Sequence, residues 1–174
     1  VRASCSGGIF GNWVTASFTT PCASVTSFVE GFETTTGALF PSCWFKVGAS
    51  GTANTQASTG ITGARNLYIY SSSAASRPVV AMVPVSNANA GTHRMVMKVR
   101  GNFSAGETIE LGYLTNPTDA TTFTAINSIV TNSATVFQTF TTVPSTSLPA
   151  GDVVFALRTG TALLSTLIDD ITWE

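Results

Sequence analysis

The chain has 174 residues and a formal net charge of −1; only 10% of its residues are charged, whereas 44% are hydrophobic. This length suits one domain of ordinary size plus a short additional segment, and it is too short for two full domains. The near-neutral charge offers no basic field for phosphate groups, so nucleic acid is not an expected partner. No apolar run approaches the roughly 20 residues of a membrane span, and the first residues lack the apolar region of a signal peptide. We therefore expect a mature chain or an excised one.

The first 22 residues predict a small hairpin. Residues 1–5 and 14–20 have the composition of short strands, and a glycine-rich stretch separates them. The succession Val-Arg-Ala-Ser-Cys, Gly-Asn-Trp and Ala-Ser-Phe-Thr-Thr-Pro-Cys resembles the last two strands of fibronectin type III modules in secreted multidomain bacterial proteins. The resemblance implies that residues 1–22 are the tail of one module and that residues 23–174 form a second domain.

From residue 22 onward, short apolar runs alternate with turn-forming residues. In residues 94–100, for example, Met and Val alternate with Arg and Lys, which is the period of a strand with one buried face. The predicted strands are residues 26–33, 43–47, 66–71, 78–85, 94–100, 108–115, 123–130, 136–142, 153–158 and 163–173. The polar segment 48–63 is predicted to be a surface loop. Ten short strands without a helix predict an all-β fold, an antiparallel β-sandwich of jelly-roll type whose terminal strands pair.

Two acidic residues near the ends of this domain fall in the apolar phase of their strands. Strict alternation places Asp169 on one face with Ile171 and Trp173, and it places Glu30 on one face with Phe28. A buried carboxylate without a partner is costly. We therefore expect the two terminal strands to pair and the two acids to meet at a hard cation. The alternative is that these acids are solvated or form ion pairs with Arg65 or Arg158.

Five short motifs follow one another through residues 23–174. They are Phe28-Val-Glu-Gly-Phe-Glu33, Phe40-Pro-Ser-Cys-Trp44, Gly63-Ala-Arg-Asn-Leu-Tyr68, Gly112-Tyr-Leu-Thr-Asn-Pro-Thr-Asp119 and Ile168-Asp-Asp-Ile171. In this order they resemble the MAM-like jelly-roll domains of Bacteroidetes surface proteins, a group that includes the cleaved adhesin domains of gingipains and the choice-of-anchor J modules. The resemblance implies a non-catalytic, calcium-stabilised β-sandwich, secreted or at the cell surface, that serves adhesion or binds glycans or proteins.

The expected calcium site combines carboxylates with an amide oxygen. Its acidic members are Glu30, Glu33, Asp169 and Asp170, and the Gly-x-x-Asn-Leu-Tyr motif adds Asn66 by resemblance. Calcium takes six to eight oxygen ligands. No cluster of His and Cys in the sequence competes for a softer metal.

Tyr68 and Tyr70 are the candidate ligand-binding residues. They occupy the polar phase of their strand, opposite Leu67 and Ile69. A tyrosine ring combines an apolar face with a polar hydroxyl, which suits contact with a glycan or with a cell-surface protein. Most of the other rings are expected in the core, including Trp44 and Trp173.

The cysteines Cys5, Cys22 and Cys43 allow three different single disulfides. The low charge, the abundance of Ser and Thr, and the absence of a Cys-x-x-Cys motif favour an exported protein over a zinc protein. Of the three bridges we favour Cys22 with Cys43, because it would clamp the segment that carries Glu30. Cys5 would then be left without a partner in this chain.

The sequence gives little support to catalysis. His93 is the sole histidine, and no Gly-x-Ser-x-Gly elbow occurs. Glu107 and Glu110 are three residues apart, so a strand would place them on opposite faces. We therefore predict a non-enzymatic module for adhesion or carbohydrate binding. The alternative is a structural spacer in a tandem array of β-domains, in contact with neighbouring domains of the same chain.

Overall fold

Two antiparallel β-sheets pack face to face in a computed structural model that describes residues 7, 8, 10, 12, 13, 22–58, 60–144, 148–160 and 164–174. Eleven strands are described, namely β1 (Phe28–Glu30), β2 (Phe45–Val47), β3 (Thr52–Ala57), β4 (Arg65–Ser71), β5 (Val79–Ala81), β6 (Met95–Gly101), β7 (Thr108–Leu114), β8 (Phe123–Val130), β9 (Gln138–Thr142), β10 (Val154–Thr159) and β11 (Leu164–Trp173). Two 3₁₀ turns, Ala88–Ala90 and Ala120–Thr122, complete the regular structure. The predicted all-β sandwich is therefore confirmed.

Within the described residues, the larger sheet has six strands and the smaller has five. The larger follows the order β3-β4-β11-β6-β9, with β1 also paired to β11, and the smaller follows β2-β5-β10-β7-β8. The predicted pairing of the terminal strands is confirmed, because Phe28 lies opposite Trp173 and Glu30 lies opposite Ile171. The two strands are therefore held together at the end of the sandwich where the candidate acids lie.

The core lies between the two sheets. It takes Leu67, Ile69 and Met97 from the larger sheet and Leu111 and Phe155 from the smaller one, all buried. Every second residue of these strands points into this layer, as the apolar alternation predicts. The two tryptophans expected in the core, at positions 44 and 173, are indeed buried, with exposures of 6% and 0%.

The prediction of a surface loop over residues 48–63 is wrong in part. The segment contains β3, an edge strand that pairs with β4 along its whole length, from Thr52 opposite Tyr70 to Ala57 opposite Arg65. Its residues have low hydrophobicity because an edge strand buries little surface. Thr55 is the fully buried member, and its hydroxyl donates to the carbonyl of Leu39.

The predicted phase of Asp169 is also wrong. A bulge between Asp169 and Thr172 shifts the register of β11 against β6, and Asp170 adopts a left-handed backbone with φ of 46°. The bulge lets both Ile168 and Ile171 face the core. Asp169 consequently points to the other side of the sheet, where it is nevertheless fully buried.

The predicted disulfide between Cys22 and Cys43 is present in the structure. It joins the start of the sandwich to the turn before β2, because Cys43 lies directly before Trp44 and β2. Cys5 and most of the predicted fibronectin-like hairpin lie outside the described residues. Within the described part of the chain, no helix has the length and apolar character needed to cross a membrane.

Candidate functional site

The two tyrosines expected to bind a ligand lie on the face of the six-stranded sheet that points away from the core, here called the outer face. Tyr68 and Tyr70 of β4 are on it because Leu67 and Ile69 point inward. The strand register continues the face onto β3 through Asn54 and Thr52, and onto β11 and β6 through Ser165, Leu167, Lys98 and Arg100. One sheet surface thus carries the paired tyrosines together with polar and basic side chains.

The two tyrosine rings are parallel. Their centroids are 6.4 Å apart and their planes differ by 6°. Both side chains are partly exposed, and among the described residues neither hydroxyl has a hydrogen-bond partner. On β3, Asn54 lies opposite Tyr68 and Thr52 lies opposite Tyr70. The pair therefore offers aromatic surface and free hydroxyl groups next to further polar side chains.

The β6 side of the outer face is basic. The guanidinium of Arg100 lies over the ring of Phe137, 5.1 Å from its centroid, and donates to the carbonyl of Ala134. Partial burial lowers the pKa of Arg100 from its ordinary value. The ammonium of Lys98 donates to the Thr139 hydroxyl at 2.6 Å. Neither cation forms an ion pair with a carboxylate in the part of the chain that the structure describes.

Two predicted metal ligands, Glu30 and Asp169, lie on the paired strands β1 and β11 at the other end of this sheet. Burial raises the pKa of Glu30, partly offset by a hydrogen bond from Phe32 N, and the charge of Asp169 raises it further. Burial likewise raises the pKa of Asp169, against the opposing effect of hydrogen bonds from the backbone, chiefly that of Ile61 N. The charged neighbour of Asp169 is Asp170, which also raises its pKa. The pairing of β1 with β11 places Glu30 opposite Ile171, two residues from Asp169. Without a cation, burial and the repulsion between like charges both make it unfavourable for neighbouring carboxyl groups to be ionised at the same time.

Asn66 adds an unsatisfied amide to this region. It is fully buried, and neither its Oδ1 nor its Nδ2 has a hydrogen-bond partner among the residues that the structure describes. The register places it beside Asp169, one step beyond the pair Leu67 and Ile168. Buried side-chain amides in proteins are nearly always hydrogen-bonded, so this one indicates a missing partner.

Three oxygens surround a single point beside Gly60. A Cβ built on this glycine would lie close to Asp169 Oδ2 at 2.8 Å, Arg65 O at 2.9 Å and Thr62 O at 3.2 Å. No cluster of three or more His, Cys, Asp or Glu side chains with metal-binding geometry occurs in the described segments. A cation in this region would therefore be held by carboxylate, amide and main-chain oxygens together, which is the mixture that calcium accepts.

The other two predicted ligands are placed differently. Glu33 accepts hydrogen bonds from Ala64 N and Arg65 N, at 3.1 and 2.7 Å, and so fastens the turn before β4. Asp170 occupies the bulge, and its Oδ1 is 3.5 Å from the position of a Cβ on Gly31. Both residues border the region around Asp169, but they do not form a three-carboxylate cluster with it.

The alternative ion pairs with arginine are not formed. Arg158 is 2.7 Å from the carboxylate of Glu110, which also binds Arg77. Arg65 donates instead to the hydroxyls of Thr35 and Thr55. Neither Glu30 nor Asp169 therefore has an arginine partner among the described residues.

A pocket at the opposite end of the outer face was not predicted. It has a volume of about 250 Å³ and is lined by Tyr70, Phe103, Ser104, Glu107, Leu164 and Ser165. In the sequence, Glu107 stands out only as a possible catalytic partner of Glu110. The spacing of three residues correctly separated these two acids, but it contained no signal that residues 103–107 would fold against the start of β11.

The fold matches known protein domains, although the sequence on its own does not. No protein-family model and no curated protein sequence matches the chain. The chain is similar to the K2 cleaved adhesin domain of Lys-gingipain, with a TM-score of 0.66 and 17% identity over 86% of this chain and 99% of that domain. The chain is also similar to the K1 domain of Lys-gingipain from Porphyromonas gingivalis W83, with a TM-score of 0.63 and 16% identity over 86% of this chain and 98% of that domain.

A further similar structure is the CBM22-1 xylan-binding domain of Paenibacillus barcinonensis Xyn10C. Its TM-score is 0.57 and its identity 13%, over 87% of this chain and 97% of that one. These similarities establish the fold. The resemblance to the gingipain adhesin domains is thereby confirmed at the level of the β-sandwich, while the MAM-like classification and the preceding fibronectin module remain predictions.

Proposed function

We propose that this chain is a non-catalytic adhesion or carbohydrate-binding module of a secreted or cell-surface protein, and that it binds glycans through the outer face. The observation that carries the proposal is the parallel, partly exposed pair Tyr68 and Tyr70. A fold-stabilising role explains this pair poorly, because both rings lie on the side of β4 that points away from the core.

The chemistry around the pair supports a sugar ligand. Sugar rings present apolar C–H faces and hydroxyl edges, so they combine stacking on aromatic rings with hydrogen bonds to polar side chains. Thr52 and Asn54 flank the rings on one side, and Arg100 lies beyond Leu167 on the other. The names of the similar structures, adhesin domains and a xylan-binding module, agree with this class of function.

Calcium is the second part of the proposal. The buried Asp169, the half-buried Glu30, the unsatisfied amide of Asn66 and the main-chain oxygens beside Gly60 fit a hard cation. Glu30, Asn66 and Asp169 would hold it, with Glu33 and Asp170 at its border. A bound calcium ion would supply positive charge that neutralises the buried carboxylates. The residues of this chain would then fasten β1, the turn before β4 and the bulge of β11 to one another.

The test is a glycan array probed with the soluble chain, followed by titration of every glycan that binds. The Tyr68→Ala/Tyr70→Ala variant should lose most of the affinity and keep the parent's melting temperature. Phe45→Ala is the matched control, because it removes a 38% exposed ring from the smaller sheet. Equal binding by the tyrosine variant and the parent would remove the outer face from the proposal. Absence of binding to any glycan would favour the structural spacer.

A further inference from the structure

The pocket beside Tyr70 combines aromatic rings with a buried acid. Phe103 is 76% exposed and Tyr70 is partly exposed, whereas Glu107 is only 5% exposed although it lines the same pocket. Large exposed rings on a loop are rarely needed for folding, and an almost fully buried carboxylate is rare without a cation beside it. The pocket therefore joins two features that stability alone does not require.

The contacts of Glu107 show how the carboxylate is held. Its Oε2 accepts a hydrogen bond from Ser165 N at 2.8 Å. Its Oε1 is 3.3 Å from Ser104 N and 3.4 Å from Ser104 Oγ, both long distances for hydrogen bonds. A carboxylate has about four lone-pair sites, so Oε1 retains capacity for another donor. No Lys or Arg of the described segments forms an ion pair with Glu107.

We propose that this pocket is the end subsite of the glycan-binding surface and that it takes one neutral sugar ring. This inference rests on the proposed function, because the ring in the pocket would belong to a chain that continues over Tyr68. Phe103 and Tyr70 contact the C–H faces of the sugar. Glu107 Oε1 accepts a hydrogen bond from a sugar hydroxyl, and the Ser104 hydroxyl is a further polar partner at the rim.

The charge in the pocket determines the class of sugar. A uronic or sialic acid would bring a second carboxylate next to Glu107 in a partly apolar pocket, where like charges repel and are poorly solvated. A sugar hydroxyl, in contrast, loses little free energy on transfer from water into the pocket, because it gains a charge-assisted hydrogen bond to Glu107. The subsite therefore selects neutral sugars over acidic ones. Acidic sugars remain compatible with the other side of the outer face, near Arg100 and Lys98.

The experiment is an NMR titration of the isotope-labelled chain with single sugars. Xylose, galactose and glucose serve as neutral probes, galacturonate as the anionic probe and glucosamine as the cationic one. The amide signals of Ser104 and Ser165 report on the pocket, and those of Thr52 and Asn54 report on the tyrosine pair. We expect saturable shifts at the pocket amides with at least one neutral sugar and none with galacturonate.

Variants separate the contributions of the pocket residues. Phe103→Ala should weaken binding about two- to tenfold through loss of aromatic contact. Glu107→Gln should lower the affinity for the neutral sugar roughly tenfold, because the charge-assisted hydrogen bond is lost. The same variant should allow galacturonate to bind. Two control variants should bind the sugar with the affinity of the parent. They are Asp152→Asn, which removes an exposed charge, and Phe45→Ala, which removes an exposed ring. Because Phe103 is a surface residue, its variant remains informative even if Glu107→Gln is unstable.

The outcomes distinguish this subsite from the wider proposal. Shifts at the pocket with glucosamine alone, or equal shifts with galacturonate, would overturn the neutral-sugar assignment. Oligosaccharide binding that needs Tyr68 and Tyr70 but never moves the pocket amides would overturn the subsite and leave the proposed function intact. Neutral sugars that saturate the pocket while a Tyr68→Ala variant binds glycans normally would overturn the tyrosine surface beyond the pocket and leave the subsite intact. If no sugar shifts either set of amide signals, both the subsite and the proposed glycan binding by the outer face are wrong.

Discussion

The indole Nε1 of Trp173 donates a hydrogen bond to Asn87 Oδ1 across 2.8 Å, from the last strand of the larger sheet to the turn before β6. Because Asn87 Oδ1 is the acceptor in this bond, its Nδ2 is the donor toward His93 Nε2 at 2.9 Å and toward Thr26 O at 2.7 Å. The ring of His93 in turn stacks on Trp173. One amide thus links the last strand with His93 before β6 and with Thr26, two residues before β1.

Replacing Asn87 should therefore destabilise the fold. Asn87→Ala leaves the indole N–H of a fully buried tryptophan without an acceptor, at a cost of about 1–3 kcal/mol. Urea unfolding measures the loss, and the exposed Asn132→Ala is the control. In a double-mutant cycle with Trp173→Phe, the two effects should be clearly non-additive. Additive effects would mean that the hydrogen bond does not contribute to stability.

Calcium should raise the melting temperature of the chain. A ligand that binds only the folded state at about 100 times its Kd adds roughly 2.7 kcal/mol, which for this size corresponds to about 5–10 °C. Asp169→Asn and Glu30→Gln should remove most of the increment, and the exposed Asp152→Asn should keep it. Magnesium should act more weakly because it requires strict octahedral geometry. A melting curve that is unmoved by chelator or calcium would refute the shared cation.

The Asn66→Leu variant tests the amide separately from the charges. In the presence of chelator its stability should equal or exceed that of the parent, because the change removes two unsatisfied polar atoms from a buried position. With calcium added, the variant should show a smaller increase in melting temperature than the parent, since it lacks one oxygen ligand. An increment as large as that of the parent would exclude Asn66 from the site.

The pH dependence of stability should reverse with calcium. In chelator, the raised pKa values of Glu30 and Asp169 mean that these groups bind protons more readily in the folded state. Their contribution to stability is complete below their unfolded pKa values of about 4 and is lost as the pH rises through the raised folded values. Stability should therefore increase on mild acidification. With calcium, acidification should instead reduce stability, because protons compete for the same oxygens. Thermal melts at a series of pH values, with Asp169→Asn as the reference, measure both trends.

The disulfide should make a substantial contribution to stability. Cys22 and Cys43 are separated by 21 residues, and closing a loop of this length is worth about 3 kcal/mol in the chain-entropy model. Cys22→Ser should therefore lower the free energy of unfolding by about this amount, whereas Cys5→Ser should have little effect. Non-reducing peptide mapping identifies the bridge directly. A peptide that contains Cys5 linked to Cys22 would contradict the assignment.

Much of the sandwich could be predicted from sequence because the relevant information is local. The alternation in β6 and the apolar runs of β10 and β11 depend on the period of a strand, which does not require knowledge of the partner strand. The burial of Trp173 follows from the same phase argument, and that of Trp44 was expected from its position after Cys43 at the start of a strand. The pairing of the terminal strands that carry Glu30 and Asp169 was also expected, because a carboxylate among apolar residues needs a partner.

The tertiary structure alone decided where these residues point and what covers them. The bulge at Asp170 depends on how β11 meets both β6 and β1, so strict alternation placed Asp169 on the wrong face. Strand β3 exists because β4 offers it an edge, although its own residues have little hydrophobicity. The pocket at Glu107 arises from contact with Ser165, 58 residues further along the chain. Such contacts between distant segments leave no periodic signal, because each depends on the packing of the whole sheet.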